Sequence, residues 1–75
     1  MRGLIEQVAK ALVDDPSQVS VNEVAEDRDT VLELKVAPND VGKVIGKQGR
    51  IANAMRTLLK VAATRDGARA SLDID

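Results

Sequence analysis

The sequence has no cysteine, histidine, tyrosine, tryptophan or phenylalanine. Without cysteine there can be neither disulfides nor thiolate metal sites, and nothing suggests an oxidising compartment. Without histidine or cysteine, acid–base or nucleophilic catalysis would rest on Asp, Glu, Lys, Ser or Thr alone. The few hydroxyls (Ser17, Ser20, Thr30, Thr57, Thr64, Ser71) occur in no Gly-x-Ser-x-Gly turn and no Ser-x-x-Lys pair. Without aromatic rings, no surface can stack nucleic-acid bases in the way that aromatic platforms do. Long apolar runs are missing as well. Glu6, Gln7 and Lys10 interrupt the N-terminal apolar residues, which therefore lack the continuous apolar stretch of a signal peptide or membrane span, and the expected location is the cytoplasm. The carboxylates Glu23, Glu26, Asp27 and Asp29 cluster, but without the glycine and ligand spacing of a calcium loop, and they read as a solvated hairpin turn. The chain is expected to be a binding module and not an enzyme, with no metal, cofactor, small-molecule substrate or membrane partner.

What is present points to a folded domain whose charge is segregated. Seventy-five residues with 44% hydrophobic and 31% charged side chains suit one domain, residues 1–75. A chain this short buries only about 60% of its unfolded surface, so self-association would help its stability. From Val41 to Arg65 there are six basic residues (Lys43, Lys47, Arg50, Arg56, Lys60, Arg65) and no acidic one, while the other fifty carry five basic and twelve acidic side chains. The net charge of −1 therefore hides a +6 segment and a −7 remainder. Such a split implies a polyanionic partner.

Periodicity predicts an amphipathic helix over Arg2–Val13, ended by Asp14-Asp15-Pro16. Two strands, Val19–Ala25 and Thr30–Ala37, form a hairpin, with a register break expected near Glu23-Val24. A short helix over Asp40–Ile45 is expected to be capped by Asn39 or Asp40. After Gly46–Gly49 a second long helix starts at Arg50, with Ile51, Met55, Leu58 and Ala62 on its buried face and Arg50, Asn53, Arg56, Thr57, Lys60 and Thr64 outward. Asp66-Gly67 ends it, and Ala68–Ile74 alternates as a closing strand. Met55 and Leu58 are expected in the core. The order α-β-β-α-α-β makes an α+β fold.

The segment Val44-Ile45-Gly46-Lys47-Gln48-Gly49-Arg50-Ile51 carries the functional signal. Two glycines let the turn take backbone angles closed to other residues and let a ligand approach the main chain. The following helix offers unpaired N–H groups at the same place, and Lys47 and Arg50 add charge for phosphate oxygens. The basic side chains Arg56, Lys60 and Arg65 could equally form a solvated helix face.

The stretch VGKVIGKQGRIANAMRTLL, Val41 to Leu59, closely resembles the KH domain family, and the element order resembles its type II topology. Across nearly the whole chain the resemblance is most specific to the small bacterial single-KH proteins of the KhpA group. It implies a three-stranded sheet packed on three helices and a groove that clamps about four single-stranded nucleotides. By position, Gly46, Lys47, Gln48 and Gly49 are the clamp, and Val41, Val44 and Ile45 line the start of the groove. Lys43, Arg50, Ile51, Asn53 and Arg56 complete the candidate RNA-binding surface. Many KH domains carry a large aliphatic residue where this chain has Ala52, so a shallower groove is expected, with Ile51, Ala52 or Met55 facing RNA. The resemblance further implies an RNA chaperone or post-transcriptional regulator that works as a homodimer or as a heterodimer with a larger KH-containing, KhpB-like protein. Two other readings stay open: a protein–protein adaptor that keeps the fold without useful RNA binding, and single-stranded DNA as the ligand.

Overall fold

The computed structural model describes residues 2–75, with α1 (Arg2–Leu12), β1 (Ser20–Glu26), β2 (Asp29–Lys35), α2 (Val41–Ile45), α3 (Arg50–Arg65) and β3 (Arg69–Ile74). Three-residue 3₁₀ turns precede β1, α2 and α3. This is the expected α-β-β-α-α-β order, and each boundary lies within two residues of its expected place.

The sheet order is β1-β2-β3. β1 and β2 are antiparallel, in unbroken register from Ser20↔Lys35 to Glu26↔Asp29. Asp27 opens their two-residue turn with φ 53°, the positive value that tight hairpins use. The expected break at Glu23-Val24 is absent; Val24 lies on the sheet's open face opposite Val31 and is 47% exposed. β3 runs parallel to β2, from Asp29↔Arg69 to Leu34↔Ile74. A parallel pair needs a crossover, and α2, the glycine turn and α3 supply it.

Val21, Leu32, Leu34 and Leu72 of the sheet meet Ile5, Ala9, Val44, Met55 and Leu59 of the helices in one core. Each large aliphatic side chain fully buried there contributes about 1.5–3 kcal/mol. The buried face of α3 is Ala52, Met55, Leu59 and Ala63, one residue round from the expected one. Leu58, expected in the core, is 48% exposed, and Ile51 and Ala62 are half-buried. The reason is steric: alanines let the helix axis approach the sheet, so Ala52 and Ala63 take the inward positions. The same happens in α1, where Ile5 and Ala9 are buried and Leu4 faces out. At its far end α3 closes on Gly67 (φ 67°), with Ala68 N–H donating to Ala63 O at 2.8 Å and Gly67 N–H to Thr64 O at 3.1 Å. That is the C-cap predicted from Asp66-Gly67.

Asp40 departs from its expected role. Its side chain does not cap α2. Among the described residues it is the one buried charged side chain, 2% exposed, and it accepts the backbone N–H groups of Asp14 (3.3 Å) and Asp15 (3.1 Å). The end of α1 is thereby tied to the start of α2, the helix that carries the glycine turn.

Candidate nucleic-acid interface

α2 lasts five residues because Gly46 turns the chain to φ 79°, ψ 173°, a region only glycine occupies readily. Gly46 N–H still donates to Gly42 O at 2.9 Å, closing the helix. A Cβ at Gly46 would lie 2.7 Å from Ile51 Cγ1, so the first glycine is required by a side chain of the helix that follows. Gln48 then sits at φ 57° and Gly49 at φ 73°, two successive left-handed residues that reverse the chain into α3. Gly49 N–H donates to Gly46 O at 3.1 Å, and Arg50 N–H donates to Lys47 O. Among the described residues the N–H groups of Lys47 and Gln48 make no hydrogen bond, and they lie next to the exposed Lys47 ammonium.

The remaining candidates divide by environment. Ile45 is 37% exposed beside the turn, and Val41 and Ile51 are half-buried. Val44 has no exposed surface, so it supports the turn from beneath instead of lining a groove. Of the three residues that could face RNA on α3, Ala52 and Met55 are buried and only Ile51 keeps exposed surface. Asn53 and Arg50 are exposed, and Arg50 Nη2 reaches Gln48 Oε1 at 3.4 Å.

The basic side chains are not equivalent. Lys43 donates to the Asp14 carboxylate and lies 3.6 Å from Asp40 Oδ1, so its charge is spent within the protein. The hydrogen bond to Asp14, followed by the attraction of the two carboxylates, holds its pKa above the usual lysine value. Among the described residues none of Lys47, Arg50, Arg56, Lys60 or Arg65 is in an ion pair. Arg56 is nevertheless engaged: Nε and Nη2 both donate to Leu72 O at 3.4 Å, and Nη1 to Asn53 Oδ1 at 3.4 Å. Its guanidinium thus bridges α3 to β3.

Sequence reasoning missed the β3 edge and the Asp14–Asp40–Lys43 group. The alternation Ala70, Leu72, Ile74 announces a strand, but only the sheet order makes β3 an edge beside α3. The arrangement as a whole is a short helix, a glycine turn with two free amides and a long basic helix, facing a strand edge. Such a surface can hold a phosphate at the turn while leaving bases toward aliphatic side chains and edge backbone.

The family model described as "KhpA/KhpB, KH domain" matches residues 2–74. A curated relative from Clostridium acetobutylicum, named RNA-binding protein KhpA, is 54% identical over 74 residues, covering 99% of each chain. One of the same name from Caldanaerobacter subterraneus subsp. tengcongensis is also 54% identical with 99% coverage of both, and one from Aquifex aeolicus is 45% identical over 99% of this chain and 94% of its own. No solved structure matches the chain.

Proposed function

Because the chain belongs to the KhpA/KhpB KH-domain family, we propose that it is a non-catalytic RNA-binding protein that clamps short single-stranded RNA at Gly46–Gly49. One observation carries the reading: the free amides of Lys47 and Gln48 open onto a helix that continues for sixteen residues without an acidic side chain. Two N–H groups and the Lys47 ammonium belong to the same turn, where a phosphate would sit, and the Gly46 backbone would let it approach. Ile45 and Ile51 give bases an aliphatic surface. Lacking aromatic stacking, worth about 1–3 kcal/mol per base elsewhere, a single domain binds weakly and with broad preference. Such binding suits a cytoplasmic RNA chaperone or post-transcriptional regulator, and the relatives' names support the RNA binding itself.

The test is binding of short single-stranded RNA at two salt concentrations to the wild type and to Lys47→Asp/Gln48→Asp, with circular dichroism as the check on folding. The wild type is expected to weaken with salt, by about 0.7 in log–log slope for each phosphate contacted. The folded variant is expected to lose binding. Wild-type binding that ignores salt, or none at all, returns the protein to the adaptor reading. Single-stranded DNA of the same sequence, run as a competitor, measures the preference for ribose.

The paired state belongs to the same proposal, as a homodimer or with a larger KH-containing protein of the KhpB kind. Its support is the exposed apolar stripe Ala54, Leu58 and Val61, at spacing i, i+4, i+7 on α3, with Leu58 48% and Val61 50% exposed. Leu58→Glu/Val61→Glu is expected to abolish self-association in sedimentation experiments without lowering stability.

A further inference from the structure

β3 has one paired and one unpaired edge, and the hydrogen bonds show which groups lie on each. Arg69 and Asp75 donate their N–H groups to Arg28 O and Leu34 O at 2.8 and 2.9 Å, toward β2. Successive strand residues alternate, so Ala70, Leu72 and Ile74 turn N–H and C=O to the opposite, unpaired edge. This is the edge beside α3. An unpaired strand carbonyl accepts hydrogen bonds from any donor that reaches it. Adenine and cytosine carry exocyclic amino donors, and the corresponding position of uracil is a carbonyl acceptor. An open carbonyl on this edge would therefore favour adenine and cytosine.

The Leu72 carbonyl is not open. The Arg56 guanidinium covers it with two N–H groups, Nε and Nη2, each at 3.4 Å, while Asn53 Oδ1 holds Nη1 from the side. A carbonyl oxygen has two lone pairs and guanidinium has no acceptor, so an amino group arriving there meets only donors.

We propose that Arg56 is a specificity-determining residue that masks the Leu72 carbonyl, and so removes a preference for adenine and cytosine that the β3 edge would otherwise impose. The inference rests on the proposed RNA binding. It assigns Arg56 a role other than phosphate binding, because a side chain braced against the strand and Asn53 acts on base choice, not on the charge count of the complex.

The experiment measures binding of short oligo(A), oligo(C) and oligo(U) at several salt concentrations to the wild type, Arg56→Met, Arg56→Ala and Lys47→Asp/Gln48→Asp. Arg56→Met keeps much of the aliphatic stem and guards against loss of fold in Arg56→Ala. Folding is followed by circular dichroism. Both Arg56 variants are expected to raise the oligo(A) and oligo(C) affinities relative to oligo(U) by roughly two- to tenfold, the range one neutral hydrogen bond supplies. Their salt slopes are expected to equal the wild type's. A slope lower by about 0.7 with unchanged base ratios makes Arg56 a phosphate ligand and overturns the proposal. Unchanged ratios and unchanged slope also overturn it. If Lys47→Asp/Gln48→Asp binds like the wild type, the clamp reading fails, and the mask still stands or falls by the base ratios. If no RNA binds the wild type, both fail.

Discussion

Replacing Gly46 by alanine separates what the glycine turn needs from backbone freedom and what it needs from space. At φ 79°, ψ 173° a residue with a Cβ is strained by about 1–3 kcal/mol. The new methyl would also lie 2.7, 2.9 and 3.0 Å from Ile51 Cγ1, Cδ1 and Cβ. These atoms are close to the α3 backbone, so relief requires moving the helix start, an overpacking cost of about 1–3 kcal/mol. The expected total is about 3 kcal/mol or more, out of the roughly 4–11 kcal/mol that a domain of this size has. At about 4–8 °C per kcal/mol the melting temperature falls by about 12–24 °C. Urea titration and thermal melting of Gly46→Ala, Ile51→Ala and the double variant measure it. Ile51→Ala removes the two closest atoms, so Gly46→Ala should cost about 1 kcal/mol less in that background. A Gly46→Ala variant within about 1 kcal/mol of wild type, or one equally costly in both backgrounds, would refute the reasoning.

Gly49→Ala (φ 73°, nearest neighbour Asn53 Nδ2 at 3.8 Å) is expected to lose only about 1–2 kcal/mol in urea titration, the left-handed penalty without a clash. Gly42→Ala, with nothing within 4 Å of its Cβ inside α2, is expected to gain about 0.5–1 kcal/mol in the same assay. Asp40→Ala orphans the N–H groups of Asp14 and Asp15 and is expected to cost about 2–4 kcal/mol, and Asp40→Asn, which keeps one acceptor, less. Lys43 has a folded pKa above its unfolded value of about 10.4. Its contribution is therefore complete below that pH and lost as pH rises through the folded value; stability curves into the alkaline range should lose this component in Lys43→Met.

The fold was largely legible because the strands and helices have different apolar periods and clear punctuation. Pro16, Pro38, Gly46 and Gly67 each mark a boundary that the structure shares. The inner face of α3 was not, because hydropathy weights Leu58 above Ala52, whereas close packing of helix on sheet reverses the order. The glycine turn could be read from Gly46 and Gly49, but the left-handed Gln48 between them could not, since glutamine has no preference for that region. Least legible were the partners of charged side chains. Asp14 and Lys43 are 29 residues apart, and Arg56 and Leu72 16 apart, so only the folded chain shows that two of the six basic residues in the tract are tied to distant parts of it.

That division bears on how tightly one domain can hold RNA. Counting charge alone assigns the proposed clamp a +6 segment. With Lys43 neutralised by Asp14 and Asp40 and Arg56 braced on Leu72, the side chains near the turn that can answer a phosphate reduce to Lys47 and Arg50. Lys60 and Arg65 lie further along α3. At about 0.7 per phosphate for a single strand, contacts at Lys47 and Arg50 give a salt slope of about −1.4, and a slope near −4 would require all six. A site with so few contacts and no stacking gains most from a second site on the same RNA, because a linked pair raises the effective concentration without adding any contact. The exposed Leu58 and Val61 lie on the same helix that begins at the glycine turn. Pairing through that stripe would fix the separation of two turns, and the length of RNA at which affinity rises would then report the distance between them.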